Sequence, residues 1–222
     1  MLFMNKSGLI AIAGVIGVGK TTLARGLAGI LPARLILEEY DRNPFLASEF
    51  AGDHDAALPC ELFFLLSRLG QLKKNTLAPQ PAVCDYIFQK NRIFAQYHLD
   101  SQQFGIFDQV EKSIRPLIAG PEVVIYLHDT VENCLERIVC RGREYERVIT
   151  CAYLACLKAG YEELFTDWDI CPVVRLDCAE YDLRRPEVVG QIADIIRTKA
   201  NNRTAEQVSV GRNDFNPQAA PA

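Results

Sequence analysis

Nine residues, Gly14-Val-Ile-Gly-Val-Gly-Lys-Thr-Thr22, follow directly on the apolar run Leu9-Ile-Ala-Ile-Ala13 and match the spacing G-x-x-x-x-G-K-[ST]. Gly14, Gly17 and Gly19 let backbone N–H groups converge on an anion, and a helix beginning just beyond them adds the partial positive charge of its N-terminus. Lys20 can then reach the β and γ phosphates of a nucleotide. The Thr21 hydroxyl, with Thr22 next to it, suits a Mg2+ ion that already carries nucleotide oxygens. The chemistry expected of this run is the handling of a nucleoside triphosphate.

Three further segments narrow the reaction. Leu35-Ile-Leu-Glu-Glu reads as an apolar strand ending in Glu38 and Glu39, and open α/β sheets bind ligands at the carboxyl ends of their strands. A carboxylate there can accept the proton of a hydroxyl that attacks a γ phosphate, or it can be a solvated strand end. Ala82-Val-Cys-Asp85 is a second short strand ending in an acid. Asp85 is positioned to hold magnesium next to Thr21, although Asp is also a strong helix N-cap. The third segment, residues 137–147, crowds Arg137, Arg141, Arg143 and Arg147 around Gly142. Guanidinium groups clamp phosphoryl oxygens or stack on a base, and a lid that closes excludes competing water. The same residues could instead be a solvated helix face laced by Glu–Arg pairs. Together the three segments favour a kinase.

The elements that must position these residues are legible as a pattern. Apolar runs at 8–13, 34–37, 82–84, 123–127 and 173–176 alternate with segments of helical period at 21–30, 59–73, 87–98, 103–119, 131–140, 150–166 and 186–199. This predicts an α/β chain: a P-loop kinase fold with a five-stranded parallel sheet flanked by helices and an Arg-rich lid. In residues 61–72 the apolar positions nearly encircle the helix, which points to burial on more than one side and to a homodimer. From 201 to 222 the composition shifts to Asn, Gln, Pro, Ala and Ser, the signature of a disordered tail after one domain spanning 1–200.

The 222 residues carry a net charge of −4 with no extended basic block, which argues against a nucleic-acid partner. No hydrophobic run approaches the roughly 20 residues of a membrane span, and a cytoplasmic location is expected. Eight cysteines show neither C-x-x-C nor zinc spacing, and most of them read as small buried hydrophobes.

The order of these segments resembles the deoxynucleoside kinase family, in particular bacterial deoxyadenosine and deoxyguanosine kinases, over most of residues 8–200. The residues that carry it are Ile12 to Thr22, the run Glu38-x-x-x-x-Asn43-Pro-Phe-Leu46, Phe63-Phe-Leu-Leu-Ser-Arg68, and Arg137-x-x-x-Arg141-x-Arg143-x-x-Glu146. The resemblance implies transfer of the γ phosphate of ATP, with Mg2+, to the 5′-hydroxyl of a deoxynucleoside. It assigns Glu38 as base, Arg141 and Arg143 as phosphate clamp, Arg137 or Arg141 as stacking partner for adenine, and Glu146 as a contact to the 3′-hydroxyl.

Departures sharpen the reading. Asp85-Tyr-Ile87 stands where the family has Asp-Arg-Ser, which removes an arginine beside the catalytic Glu and leaves Lys90 or Arg92 as replacements. Glu39 stands where Pro usually follows the base, so either glutamate could serve. Phe50 aligns with a Tyr that helps hold the 3′-hydroxyl, so looser sugar selectivity is expected. Glu61 replaces a Gln that pairs with the base edge. A carboxylate offers acceptors only, which suits the adjacent N1–H and 2-amino donors of guanine, with Arg68 on the same helical face donating to O6 or N7. A mutual Glu61–Arg68 ion pair is the structural alternative. The other functional readings are a nucleoside monophosphate or other small-molecule kinase, which Glu38 would disfavour by repelling an acceptor phosphate, and a catalytically weak regulatory P-loop protein.

Overall fold

The computed structural model describes residues 8–74, 81–201 and 207–210. Its centre is the strand β1 (Leu9–Ala13), apolar at every position and buried on both faces, as a strand covered by helices on both sides must be. The other strands are β2 (Arg34–Ile36), β3 (Ala82–Cys84), β4 (Val123–His128), β5 (Val173–Asp177) and β6 (Gln207–Val210). All pair in parallel in the order β2-β3-β1-β4-β5-β6. The sheet thus has six strands where the sequence pattern predicted five. The sixth falls inside the 201–222 segment read as a disordered tail, pairs with β5 from Val173↔Gln207 to Leu176↔Val210, and buries Val210. Residues 202–206 and 211–222 lie outside the described residues.

Strand order decides where a ligand sits. The chain leaves β1 toward β2 on one side, then crosses from β3 to β4 on the other, so the carboxyl end of β1 is a topological switch point. The glycine-rich run 14–22, the expected phosphate loop, occupies that end. It runs into α1 (Lys20–Ile30), which buries Leu23, Ala24 and Leu27 against the sheet.

The remaining helices are α2 (Leu46–Phe50), α3 (His54–Leu72), α4 (Lys90–His98), α5 (Ser101–Ile114), α6 (Val131–Arg141), α7 (Cys151–Thr166) and α8 (Pro186–Asn201). Helix α3 begins five residues earlier than its apolar period suggests, because Asp53 caps it by accepting from the Asp55 N–H at 3.0 Å. Its buried stripe includes Ala57, Glu61, Leu65, Arg68 and Leu72, at steps of three and four, so Glu61 and Arg68 share the inward face. The opposite face leaves Leu66 54% exposed, and Ile106 of α5 is 46% exposed.

Candidate active site

Each acid expected at a strand end is there, and hydrogen bonds tie the two together. Asp85, just past β3, accepts the Thr21 Oγ1–H on Oδ2 at 2.6 Å and the Glu38 backbone N–H on Oδ1 at 3.0 Å. Its own N–H bonds the Ile36 carbonyl at 3.1 Å, which locks the ends of β2 and β3 in register. Asp85 therefore does not cap the next helix, which begins at Lys90 after Gln89. The Thr21 hydroxyl and the Asp85 carboxylate form a pair of hard oxygen donors beside the phosphate loop, the donor type that Mg2+ takes.

The loop itself is shaped by close approach. Gly17 has φ +82°, and a Cβ on it would lie 2.4 Å from the Cys134 carbonyl oxygen of α6, so only glycine fits. Gly19, at φ +109°, is the N-cap of α1, and it carries no capping side chain that could intrude on an anion at the helix terminus. Lys20 folds back to donate to the Val15 carbonyl at 2.7 Å. Burial, helped by neighbouring Lys90, pulls its ammonium down to about 8.

Between Glu38 and Glu39 the geometry discriminates. Glu38 faces the cavity above the phosphate loop, whereas Glu39 turns away to Ser67 Oγ at 2.7 Å and Arg42 at 2.6 Å. Lys90 donates to both Glu38 oxygens at 2.8 Å, and Arg68 Nη2 donates to Oε1. Burial alone would raise the Glu38 carboxyl; Lys90 and Arg68 overcome it and hold the group well below the usual carboxylate range. Lys90, one of the two replacements expected for the missing Asp-Arg-Ser arginine, thus pairs with Glu38, together with Arg68. Arg92 does not, since it pairs with Asp108.

The same contacts bear on the alternative of a mutual Glu61–Arg68 ion pair. Two turns apart, the side chains diverge: Arg68 is bound to Glu38 and Asn91, while Glu61 takes a hydrogen bond from His98 Nδ1 at 2.8 Å. Among the described residues no Glu61–Arg68 ion pair forms. Each nevertheless keeps one buried atom without a partner there, Glu61 Oε2 and Arg68 Nε, and both residues line the cavity.

The Arg-rich segment expected to act as a lid lines the same cavity. Helix α6 ends at Gly142, whose φ of +72° allows the left-handed cap that turns the chain into a 3₁₀ segment, Glu144–Val148. Arg141 binds buried Glu146 through Nε at 3.0 Å and Nη2 at 2.7 Å, and Arg143 reaches the same carboxylate at 3.2 Å. Arg143 also lies 3.7 Å from the centre of the Tyr40 ring. Arg137 is held by Asp129 at 2.5 Å and lines a second cavity on the other side of the phosphate loop. That cavity runs from Gly17–Thr22 along Cys178–Arg184, a stretch with no motif to mark it in the sequence. Gly17, Lys20, Thr21 and Arg141 border both cavities, while Gly19 and Thr22 border the second alone. Gly14, expected to meet phosphate with them, lines neither cavity. It lies against the end of β4, where a Cβ would come within 2.5 Å of the Leu127 carbonyl oxygen, so its role is to let the loop leave β1 beside β4.

Other cavity residues also escaped the sequence reading: Glu49, Phe94, His98, Tyr145 and Tyr153. Lys90, Phe94 and His98 recur every four residues along α4, a one-face signal that a polar residue at each end made hard to recognise.

A buried, charge-paired carboxylate thus faces a lysine-bearing, glycine-rich loop across one cavity. The family model of the deoxynucleoside kinases matches residues 10–199. The chain belongs to the deoxynucleoside kinase family. A deoxyadenosine/deoxycytidine kinase of Bacillus subtilis is 32% identical over 204 residues, covering 86% of this chain and 94% of that enzyme. A deoxyguanosine kinase of the same organism is 30% identical over 202 residues, covering 89% and 94%. The structure of deoxyadenosine kinase from M. mycoides with dCMP and dCDP superposes with a TM-score of 0.73 at 23% identity, covering 87% of this chain and 99% of that one, which shows the shared fold. This deoxynucleoside kinase has no described helix long and apolar enough to cross a membrane.

Proposed function

We propose that this deoxynucleoside kinase transfers the γ phosphate of ATP to the 5′-hydroxyl of a purine deoxynucleoside, with deoxyguanosine preferred. The observation that carries the reaction is Glu38, ionised by Lys90 and Arg68 and facing Lys20 and Thr21 across one cavity. In the proposed step the 5′-oxygen forms a bond to the γ phosphorus, the bond from that phosphorus to the bridging oxygen breaks, and the 5′-proton passes to Glu38. A carboxylate held this far down is a weak base. That is sufficient in a loose phosphoryl transfer, where the hydroxyl loses its proton late and the main need is orientation.

Lys20 and the loop N–H groups hold the β and γ phosphates, with Thr21 and Asp85 as the residues for Mg2+, which when bound offsets charge on the phosphates. Arg141 and Arg143 exchange Glu146 for phosphoryl oxygens as the lid engages, which frees Glu146 for the 3′-hydroxyl. Arg137 and Arg141, with the Cys178–Arg184 stretch, border the space for the adenine of ATP. Phe50 lines the sugar side without a hydroxyl, but the buried Tyr145 hydroxyl has no partner among the described residues and its ring lies 5.8 Å from that of Phe50, so it is a second candidate for the sugar. The exposed apolar residues Leu66 and Ile106 support a homodimer through α3 and α5. We also propose a cytoplasmic enzyme without a nucleic-acid partner.

The test is transfer of labelled phosphate from Mg-ATP to the four deoxynucleosides and their ribo-counterparts. Label in a purine deoxynucleoside 5′-monophosphate is the expected result; no labelled nucleoside from any of the eight would overturn the reading.

A further inference from the structure

The floor of the acceptor cavity holds a charged cluster that the phosphoryl transfer does not use. His98, at the end of α4, lies with Nδ1 2.8 Å from Glu61 Oε1 of α3 and 3.1 Å from Glu49 Oε1 of α2. Its Nε2 lies 3.0 Å from the Tyr153 hydroxyl of α7. Glu61 is only 2% exposed, and its Oε2 has no partner among the described residues. Two carboxylates, one imidazole and one phenol therefore meet in a single buried corner.

We propose that His98, backed by Glu49, is a positioning residue that keeps Glu61 as a fixed, ionised carboxylate and thereby makes the pocket select guanine. The inference rests on the deoxyguanosine reading above and supplies its cause.

The argument turns on what Glu61 presents to a base. Burial, joined by the Glu49 carboxylate, pushes its carboxyl up, and the hydrogen bond and charge of His98 are the main pull the other way. A protonated carboxyl offers one donor and one acceptor, like the amide of Gln, and matches adenine or cytosine. An ionised carboxylate offers acceptors only. It can take the adjacent N1–H and 2-amino donors of guanine on Oε2 and on the remaining lone pair of Oε1. The choice between these two forms is the choice of substrate.

His98 decides it. Burial works against its charge, but the Glu49 and Glu61 carboxylates outweigh burial and push the imidazole up to about 9. At neutral pH both ring nitrogens carry protons: Nδ1 donates to Glu61 and Nε2 to the Tyr153 oxygen. The three ligand-type atoms of Glu49, Glu61 and His98 lie within 4.8 Å of one another, close enough for a cation, yet the imidazolium already supplies the positive charge there. Glu49 acts twice: its charge pushes the Glu61 carboxyl up directly, and it helps hold on His98 the proton that Nδ1 donates to Glu61, which is the larger effect in this proposal. Arg68 Nε, buried without a partner on the same face of α3, remains as the donor for O6 or N7.

The experiment measures kcat/KM for deoxyguanosine, deoxyinosine and deoxyadenosine in the wild type and in His98→Gln, Glu49→Gln, Glu61→Gln and the His98→Gln/Glu61→Gln double variant. The KM for ATP is measured in each. The wild type should prefer deoxyguanosine to deoxyinosine, which lacks only the 2-amino group, by about tenfold or more, since a group bound by a buried carboxylate is costly to lose. His98→Gln should move the deoxyguanosine:deoxyadenosine ratio toward adenine by about tenfold, through KM for deoxyguanosine and with KM for ATP unchanged. Glu49→Gln should move it the same way by less, and it decides the question if His98→Gln does not fold. In the double variant the ratio should equal that of Glu61→Gln alone, a non-additivity that general destabilisation would not produce.

If the wild type prefers deoxyguanosine and Glu61→Gln erases that preference, but His98→Gln and Glu49→Gln keep the wild-type ratio or lose all three substrates equally, the inference is overturned and the substrate reading stands. A wild type with no preference for deoxyguanosine sinks the substrate reading itself, and the inference with it.

Discussion

The two halves of the proposed site are built from different materials. The donor half is mostly backbone: one contiguous loop, residues 14–22, whose N–H groups, helix terminus and Lys20 need only one outside carboxylate, Asp85. The acceptor half is nearly all side chain. Glu38, Glu49, Glu61, Arg68, Lys90, His98, Glu146 and Tyr153 come from the end of β2, four helices and the lid. Backbone cradles recognise what all nucleoside triphosphates share, and they recur with little change. Side-chain walls can change one residue at a time, so the proposed function places selectivity there. Substrate choice can therefore change without disturbing the phosphate site.

That division can be broken experimentally, and the sharpest attempt is at Glu38. Glu38→Ala should lower kcat by about 10³-fold while the Kd for ATP, measured by calorimetry, changes by less than about threefold. A parallel loss of ATP affinity would mean that the halves are not separable. Lys90→Met should be next, at about 10²-fold in kcat, because Glu38 would lose the cation on both its oxygens and keep only Arg68. An unchanged kcat would assign the orientation of Glu38 to Arg68 alone.

The third probe is pH. Lys20 is charged below its value of about 8 and neutral above it. The kcat/KM for ATP, which reports the free enzyme, should therefore fall above pH 8 by up to about tenfold per unit, while kcat falls later because bound phosphates favour the ammonium. Coincident profiles would contradict a donor-side origin. Smallest is Phe50→Tyr, which adds a hydroxyl beside Tyr145 and should lower KM for the deoxynucleoside by about twofold to threefold, with KM for ATP constant.

The same division governed what could be read without coordinates. Strands β1, β3 and β4 stand out because they are buried on both faces and their apolar runs are unbroken. Edge strand β6, Gln207-Val-Ser-Val210, alternates polar and apolar residues within a stretch of tail-like composition and gives no such run. The phosphate loop and Asp85 are local in sequence or end a strand, so spacing reveals them. Spacing does not tell Gly14 from Gly19, because a glycine needed for packing against β4 and one needed at a helix terminus look the same in a motif. Whether Glu38 or Glu39 faces the cavity depends on which way the chain leaves β2, a matter settled by the Asp85 hydrogen bond and Ser67. Spacing alone puts Glu61 and Arg68 on one helical face, but their partners, His98 and Glu38, are 37 and 30 residues away and follow only from tertiary packing such as that of α3 against α4.

The most direct test of substrate choice by the side-chain wall is the kcat/KM ratio of deoxyguanosine to deoxyadenosine in the wild type and in Glu61→Gln, at saturating Mg-ATP. A ratio above one that shifts toward adenine by about tenfold in the variant, with KM for ATP unaltered, is the predicted result. An identical ratio in both proteins would contradict it.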